Sequence, residues 1–306
     1  NQKGKVVWKK NIYKKSYKRI YKSLAFSIYE NVIYISDNIG FVYSIDLENG
    51  NLIWIRNYEV PTKSNIKVFN DKIFLINQDN KIFCLNTKDG SLIWSVRSIS
   101  SFIKTENLLS LALTQEGDLM AITSSADIYK IDSNTGDILW SRNIADSLYA
   151  DATDFFKSSE IVISNEKIFF SAGPNTLSLK IKDGMTNWSQ KVSSIASPII
   201  SEKNIFIVSR NGFFIILNKD NGKIISSSNL LKVLKRKKQK TIITGFIMGS
   251  GKIYSVTKNG FLIVASAKTG KPESFKKIGG FNISPLVISN GKLHIMTDKS
   301  KIVILN

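Results

Sequence analysis

The sequence predicts an all-β fold, a seven-bladed β-propeller with four-stranded blades, forming a single domain over residues 1–306. Three observations predict it. A phrase made of an apolar strand, a polar turn ending in glycine and a short strand with tryptophan recurs along the chain, as FVYSIDLENGNLIW, KIFCLNTKDGSLIW and DIYKIDSNTGDILW. The turn glycines Gly4, Gly50, Gly90, Gly136, Gly184, Gly222 and Gly270 follow one another at intervals of 38 to 48 residues, the length of a propeller blade and too long for a leucine-rich repeat. The five tryptophans, Trp8, Trp54, Trp94, Trp140 and Trp188, each stand four residues after one of these glycines, and no tryptophan occurs elsewhere.

Each part of the repeat has a physical reason. The pairs Asp89-Gly90, Asp183-Gly184 and Asn221-Gly222 supply the positive φ angles of tight hairpins. A tryptophan in the strand that follows offers a large flat surface to the neighbouring blade, so Trp8, Trp54, Trp94, Trp140 and Trp188 are read as inter-blade structural residues. Three weaker copies continue the series, TLSLKIKDGMTNW, GFFIILNKDNGKIIS and GFLIVASAKTGKPES; in the last two, Ser226 and Ser274 hold the tryptophan position. Upstream of the turn lie two more apolar runs per unit, such as SPIIS at 197–201 and NIFIVS at 204–209, which makes each blade A–B–C–D with the glycine turn between C and D. Seven A–B–C sets fall around 24–46, 66–86, 108–132, 159–181, 196–218, 242–266 and 283–306. The segment 301–306 reads as a C strand and 4–10 as a D strand, so the last blade is expected to be closed by the N-terminal strand, which removes open sheet edges.

Composition then narrows the function. One cysteine, Cys84, allows no intrachain disulfide, and one histidine, His294, together with it cannot supply the three or four ligands of a His/Cys metal site. His294 falls in an apolar strand with no nucleophile and acid placed around it. GSGK at 249–252 superficially suggests a phosphate loop, but Phe246 stands where the pattern needs its first glycine and Ile253 replaces the hydroxyl residue, so it is read as an A–B hairpin turn. Asp151 and Asp154 lack a partner constellation and are read as loop residues. No apolar run reaches the roughly 20 residues of a membrane-spanning helix. The expectation is therefore a binding protein, not an enzyme, with no cofactor.

The run apolar-x-Ile-Asp-x-x-x-Gly-x-Ile-x-Trp, at Tyr43–Trp54 and Tyr129–Trp140, resembles the PQQ-like propeller repeat of quinoprotein dehydrogenases and covers nearly the whole chain. Quinoprotein enzymes of that kind hold quinone against a vicinal disulfide, which a lone Cys84 rules out. The phrases SSSNLLKVL (226–234), NGFLIVASAKTGK (259–271) and SPLVISNGKLHI (284–295) resemble more closely the BamB family of outer-membrane protein assembly propellers. That resemblance implies a non-catalytic periplasmic scaffold, associated with the outer membrane as a lipoprotein, acting as a monomer within a complex by docking on the POTRA domains of the BamA-type barrel-inserting subunit. It also implies a docking run, matched here by Ser101-Phe102-Ile103-Lys104, and an acidic loop, matched by Asp146, Asp151 and Asp154. In the docking run Lys104 replaces an arginine, which loses a bidentate fork. The family's propeller has eight blades against the seven sets here, and the lipid-bearing cysteine is expected upstream of Asn1, since Cys84 lies within a strand. The alternatives are a PQQ-like propeller enzyme or ligand-binding propeller taking quinone or sugar, and a cytoplasmic interaction propeller.

Charge gives a second expectation. Lys and Arg number 43 against 24 acidic residues, a formal net charge of +19. Two D-to-A connections are densely basic: 13–22, with Lys14, Lys15, Lys18 and Arg19, and 232–240, with Lys235, Arg236, Lys237 and Lys238. In a propeller such connections emerge on one face, so these residues are expected to form one basic rim facing anionic headgroups or an acidic partner. Nucleic acid is disfavoured, because the aromatic residues are mostly in strands and no single-strand-binding pattern appears.

Overall fold

The computed structural model describes residues 5–17, 19–98, 109–144, 158–194, 196–235, 240–279, 286–296 and 302–305. The chain is an all-β, seven-bladed β-propeller whose blades are antiparallel sheets of consecutive strands. By packing it divides into two compact units, Asn1–Lys157 with three blades and Ser158–Asn306 with four. The first blade is typical: Leu24–Tyr29, Val32–Asp37, Phe41–Asp46 and Leu52–Asn57 pair in the order of the sequence. The A–B–C sets run 24–46, 67–86, 110–131, 162–180, 199–218, 243–266 and 287–305, within four residues of the sequence expectation at every end.

Local chemistry forms each blade. Five of the A–B turns are two-residue hairpins, and in three of them both central residues have positive φ, for instance Asn70 (46°) with Asp71 (59°) between Phe69 and Lys72. This is the turn whose twist matches that of the flanking strands. The segment Gly249–Lys252 is such a turn, with Ser250 at 50° and Gly251 at 71°. The C–D turns carry a bulge at the same place in all six blades that have one, between Ser44 and Ile45 in the first and between Val264 and Ala265 in the sixth. An Asp or Asn side chain closes most of these turns: Asp46 Oδ1 accepts from the amides of Glu48 at 2.9 Å and Asn49 at 3.0 Å. The extra residue and the positive φ of the glycine, 73° at Gly50, return the chain into the D strand.

Burial follows strand order. B and C strands are nearly continuous core: Ile73, Phe74, Leu75 and Ile76 in one B strand, and Ile82, Cys84 and Leu85 in the C strand beside it, are fully buried. Unbroken apolar runs of this kind belong to strands covered on both faces. D strands lie at the outside and expose most of their residues.

The seventh sheet has three strands among the described residues, Val287–Ser289, Lys292–Met296 and Ile302–Leu305. Of the segment 4–10, read from the sequence as its fourth strand, residues 5–10 are described and are not in a ladder among the described residues. Val6 is 80% and Val7 67% exposed. Its Trp8 is nevertheless placed like the tryptophans of the D strands, as described next.

Candidate partner-binding surfaces

The tryptophans share one geometry. Trp54 Nε1 donates to Thr87 O at 2.8 Å, Trp94 Nε1 to Ser133 O at 3.1 Å, and Trp188 Nε1 to Lys219 O at 3.0 Å. Trp8 Nε1 donates to Leu47 O at 2.9 Å. In each pair the acceptor is the carbonyl three residues before a turn glycine of the next blade in sequence. A Cβ added to Gly50, Gly90, Gly136 or Gly222 would stand within 2.5 to 2.8 Å of Trp8, Trp54, Trp94 or Trp188 respectively. The glycine is therefore required twice, by its φ and by the indole face lying against it. Behind the ring each D-strand indole meets an aromatic residue of its own B strand where one is present: Tyr34 for Trp54, Phe74 for Trp94 and Phe169 for Trp188, with centroids 5.9 to 6.3 Å apart.

The first basic connection is anchored by aromatic residues. Tyr13 packs edge-on against Tyr43 at 6.0 Å and Tyr17 against Phe41 at 5.5 Å. Tyr13 Oη donates to Asp37 Oδ2 at 2.9 Å and Tyr43 Oη to the same oxygen at 3.2 Å. The other oxygen, Oδ1, accepts the amides of Ile39, Gly40 and Phe41, each at 2.9 Å. Asp37 is buried, so its five hydrogen bonds replace the solvation the carboxylate loses. Burial first, and the neighbouring Asp37 second, push the Tyr13 phenol well above its ordinary range; Tyr43 is pushed up by the same two causes. On this anchored segment Lys14, Lys15 and Arg19 are exposed, with Lys15–Tyr17 forming one 3-10 turn. Lys22 lies over the Tyr13 ring, 5.0 Å from its centroid.

The second basic connection leaves a 3-10 turn, Leu230–Val233, that Asn229 caps by accepting from Leu231 N at 2.9 Å. Leu230, Leu231 and Leu234 are buried and hold it down, while Lys232, Lys235 and Lys240 are exposed. Lys18, Arg236, Lys237 and Lys238 lie outside the described residues, as do Phe102, Ile103, Lys104, Asp146, Asp151 and Asp154.

Sequence reasoning did not single out Asp37 or Asp127. Asp127 is buried in the third blade and accepts from Asn143 Nδ2 at 2.7 Å, Ser125 Oγ at 2.9 Å and Ser98 Oγ at 3.2 Å. Both carboxylates accept several of the protein's own donors, which suits holding loops in place. Among the described residues no group of three or more His, Cys, Asp and Glu side chains is placed to hold a metal ion. His294 lies in a B strand, opposite Val287. Cys84 is buried, and burial pushes its thiol up to about 12. No helix among the described residues is long and apolar enough to cross a membrane. The outer strands carry exposed apolar pairs two and three residues after the turn glycine, Leu52–Ile53, Leu92–Ile93 and Ile138–Leu139, each residue more than 40% exposed.

The described chain is thus a propeller in which tryptophans of one blade cover turn glycines of the next. The chain belongs to the family described as outer membrane protein assembly factor BamB, whose model matches residues 1–228. It is similar to the assembly factor BamB of Moranella endobia, 23% identical over 63% of this chain and 50% of that protein. It is also similar to the BamB of Escherichia coli K12, 20% identical over 90% of this chain and 82% of that one. The chain thus spans about half the length of some relatives and most of another. A quinoprotein ethanol dehydrogenase of Pseudomonas putida is 23% identical over 38% of this chain and 22% of its own length. In structure the chain is similar to BamB from Moraxella catarrhalis, with a TM-score of 0.76 over 92% of this chain and 83% of the other at 14% identity. That likeness is one of fold.

Proposed function

We propose that this chain is a non-catalytic scaffold of the periplasm that aids the assembly of β-barrel proteins into the outer membrane by binding the POTRA region of a BamA-like subunit. The observation that carries the reading is the family match over residues 1–228. The exposed apolar pairs of the D strands support a protein partner, since outer strands are where an extended segment adds to a blade. The docking residues proposed are Phe102, Ile103 and Lys104, with Asp146, Asp151 and Asp154. Immobilised POTRA domains from the same cell envelope test this in a binding assay. Retention by the wild-type chain, reduced at least about tenfold by F102A with K104E, is the expected result. Equal retention of both removes the proposed surface, and no retention of either removes the partner.

The exposed Lys14, Lys15, Arg19 and Lys235 support a second contact of the same scaffold with an anionic membrane surface, at about 1 kcal/mol per basic residue within a Debye length. Co-sedimentation with phosphatidylglycerol vesicles that is unchanged by K14E/K15E/R19E rules this contact out. The match to a quinoprotein dehydrogenase favours one rival, a quinone-binding propeller. Quinone absorbance in the protein isolated from its own cells would support that rival.

A further inference from the structure

Two serines stand where the repeat has tryptophan, and the structure treats them differently. At Ser226 the indole is replaced from within the same blade. Phe214, eight residues before Gly222, reaches the turn of the next blade, where a Cβ on Gly270 would stand 2.7 Å from its ring. Phe206 stacks on it, with centroids 6.0 Å apart and planes 8° from parallel. At Ser274 the equivalent of Phe214 is Leu262, eight residues before Gly270, and the equivalent of Phe206 is Tyr254. Leucine does not fill the space of an indole. Between the sixth and seventh blades lies a cleft of about 530 Å³ lined by Ser274, Leu262, Tyr254 and Leu305 among others. Its volume falls within the roughly 300–1,000 Å³ of ligand sites.

The cleft has a defined chemistry. Its floor is apolar, with Leu262 5% exposed. Lys276 and Lys292 also line it, both exposed, and neither is in a salt bridge among the described residues. Leu305 belongs to Ile302–Leu305, which among the described residues pairs on one side only. The other interfaces of this repeat show what such a space accommodates, the face of an aromatic ring.

We infer that the cleft between the sixth and seventh blades binds an extended peptide through one aromatic side chain flanked by carboxylates. The ring fills the space beside Ser274 and Leu262 that no aromatic side chain of the sixth blade occupies. The carboxylates meet Lys276 and Lys292, and the peptide backbone runs beside Ile302–Leu305. This inference does not rest on the POTRA reading, and its test uses no POTRA domain.

The probe is a fluorescein-labelled peptide, Gly-Asp-Trp-Asp-Gly-Ser, titrated with the full chain at low salt and read by anisotropy. The expected result is saturable binding that S274W weakens at least about tenfold, because the new indole fills the cleft from inside. L262F, which copies the Phe214 solution, serves if S274W fails to fold by circular dichroism. K276E with K292E weakens binding similarly, K223E on another blade does not, and a peptide with glycine for tryptophan binds at least about tenfold more weakly. Equal binding to wild-type and folded S274W or L262F overturns the proposal, as does equal binding of the glycine peptide. An absence of binding to the wild-type chain overturns it too. Affinity that rises once residues 1–10 are removed assigns the cleft to the chain's own N-terminal segment, and a wild-type dimer that S274W dissociates assigns it to a second copy. Either overturns the peptide assignment.

Discussion

The interfaces after blades one, two and four and those after blades five and six solve the same packing problem in different ways. In the first group a single indole joins neighbours: it donates one hydrogen bond to a turn carbonyl, covers a glycine and rests on an aromatic of its own blade, as Trp54, Trp94 and Trp188 do. In the second group that indole is gone. Phe214 restores the covered glycine but donates no hydrogen bond, and at Ser274 a cleft remains. The difference separates what the interface needs from what the repeat merely prefers. A flat ring over the turn glycine is the common element, and the N–H to the carbonyl is an addition to it.

Substitutions break or sharpen this comparison. The largest effect is expected from Trp94→Ala, at a residue 9% exposed, which removes ring, hydrogen bond and the contact with Phe74 together. It should lower unfolding free energy by about 3–5 kcal/mol in urea titrations, the range for large aromatic truncations in a core. Next is Gly222→Ala, where the new methyl meets Trp188 at 2.5 Å; overpacking and positive-φ strain together should cost about 2 kcal/mol in the same assay. Gly291→Ala has nothing within 4 Å and the same φ of about 71°, so it reports strain alone, about 1 kcal/mol, and subtracting it isolates the indole contact. Phe214→Leu turns the fifth blade into a copy of the sixth and should cost about 1 kcal/mol.

The smallest effect at neutral pH comes from two titratable groups, the half-buried Tyr58 and the buried Cys84. Burial raises Tyr58 and Cys84 to about 12 each, so both favour the protonated, folded form. Folded values above unfolded ones mean a stability contribution that is complete below the unfolded values, about 8.5 for Cys and about 10 for Tyr, and lost as pH rises toward 12. Melting temperature should therefore be level from pH 7 to about 8.5 and fall at higher pH. Cys84 should be silent to a thiol reagent at pH 8 until urea is added.

The fold was legible because its signals are local. Gly50, Gly90 and Gly136 with the Asp or Asn four residues before them set the turn within one stretch of chain, and the tryptophan four residues later marks the D strand. The closing strand was less legible: 4–10 has the repeat's pattern, yet Val6 and Val7 are exposed. The surfaces were harder to read for the same reason. Tyr13, Asp37 and Tyr43 form one cluster only after the chain returns over 24 residues, and no spacing marks the event. Ser226 and Ser274 look alike in sequence. Their difference lies in residue 214 against residue 262, on a strand that has to be folded before either side chain faces the turn. The docking run at 102–104 and the acidic loop at 146–154 stand on resemblance alone, since they lie outside the described residues.

Hydrogen exchange of the tryptophan side chains tests the clasp most directly. In a nitrogen-15 spectrum the indole N–H protons of Trp8, Trp54, Trp94 and Trp188, each bonded to a turn carbonyl, should exchange far more slowly than free indole. If Trp54, Trp94 or Trp188 exchanges as fast as a free indole in the folded protein, the rings do not join the blades and the packing described here is wrong.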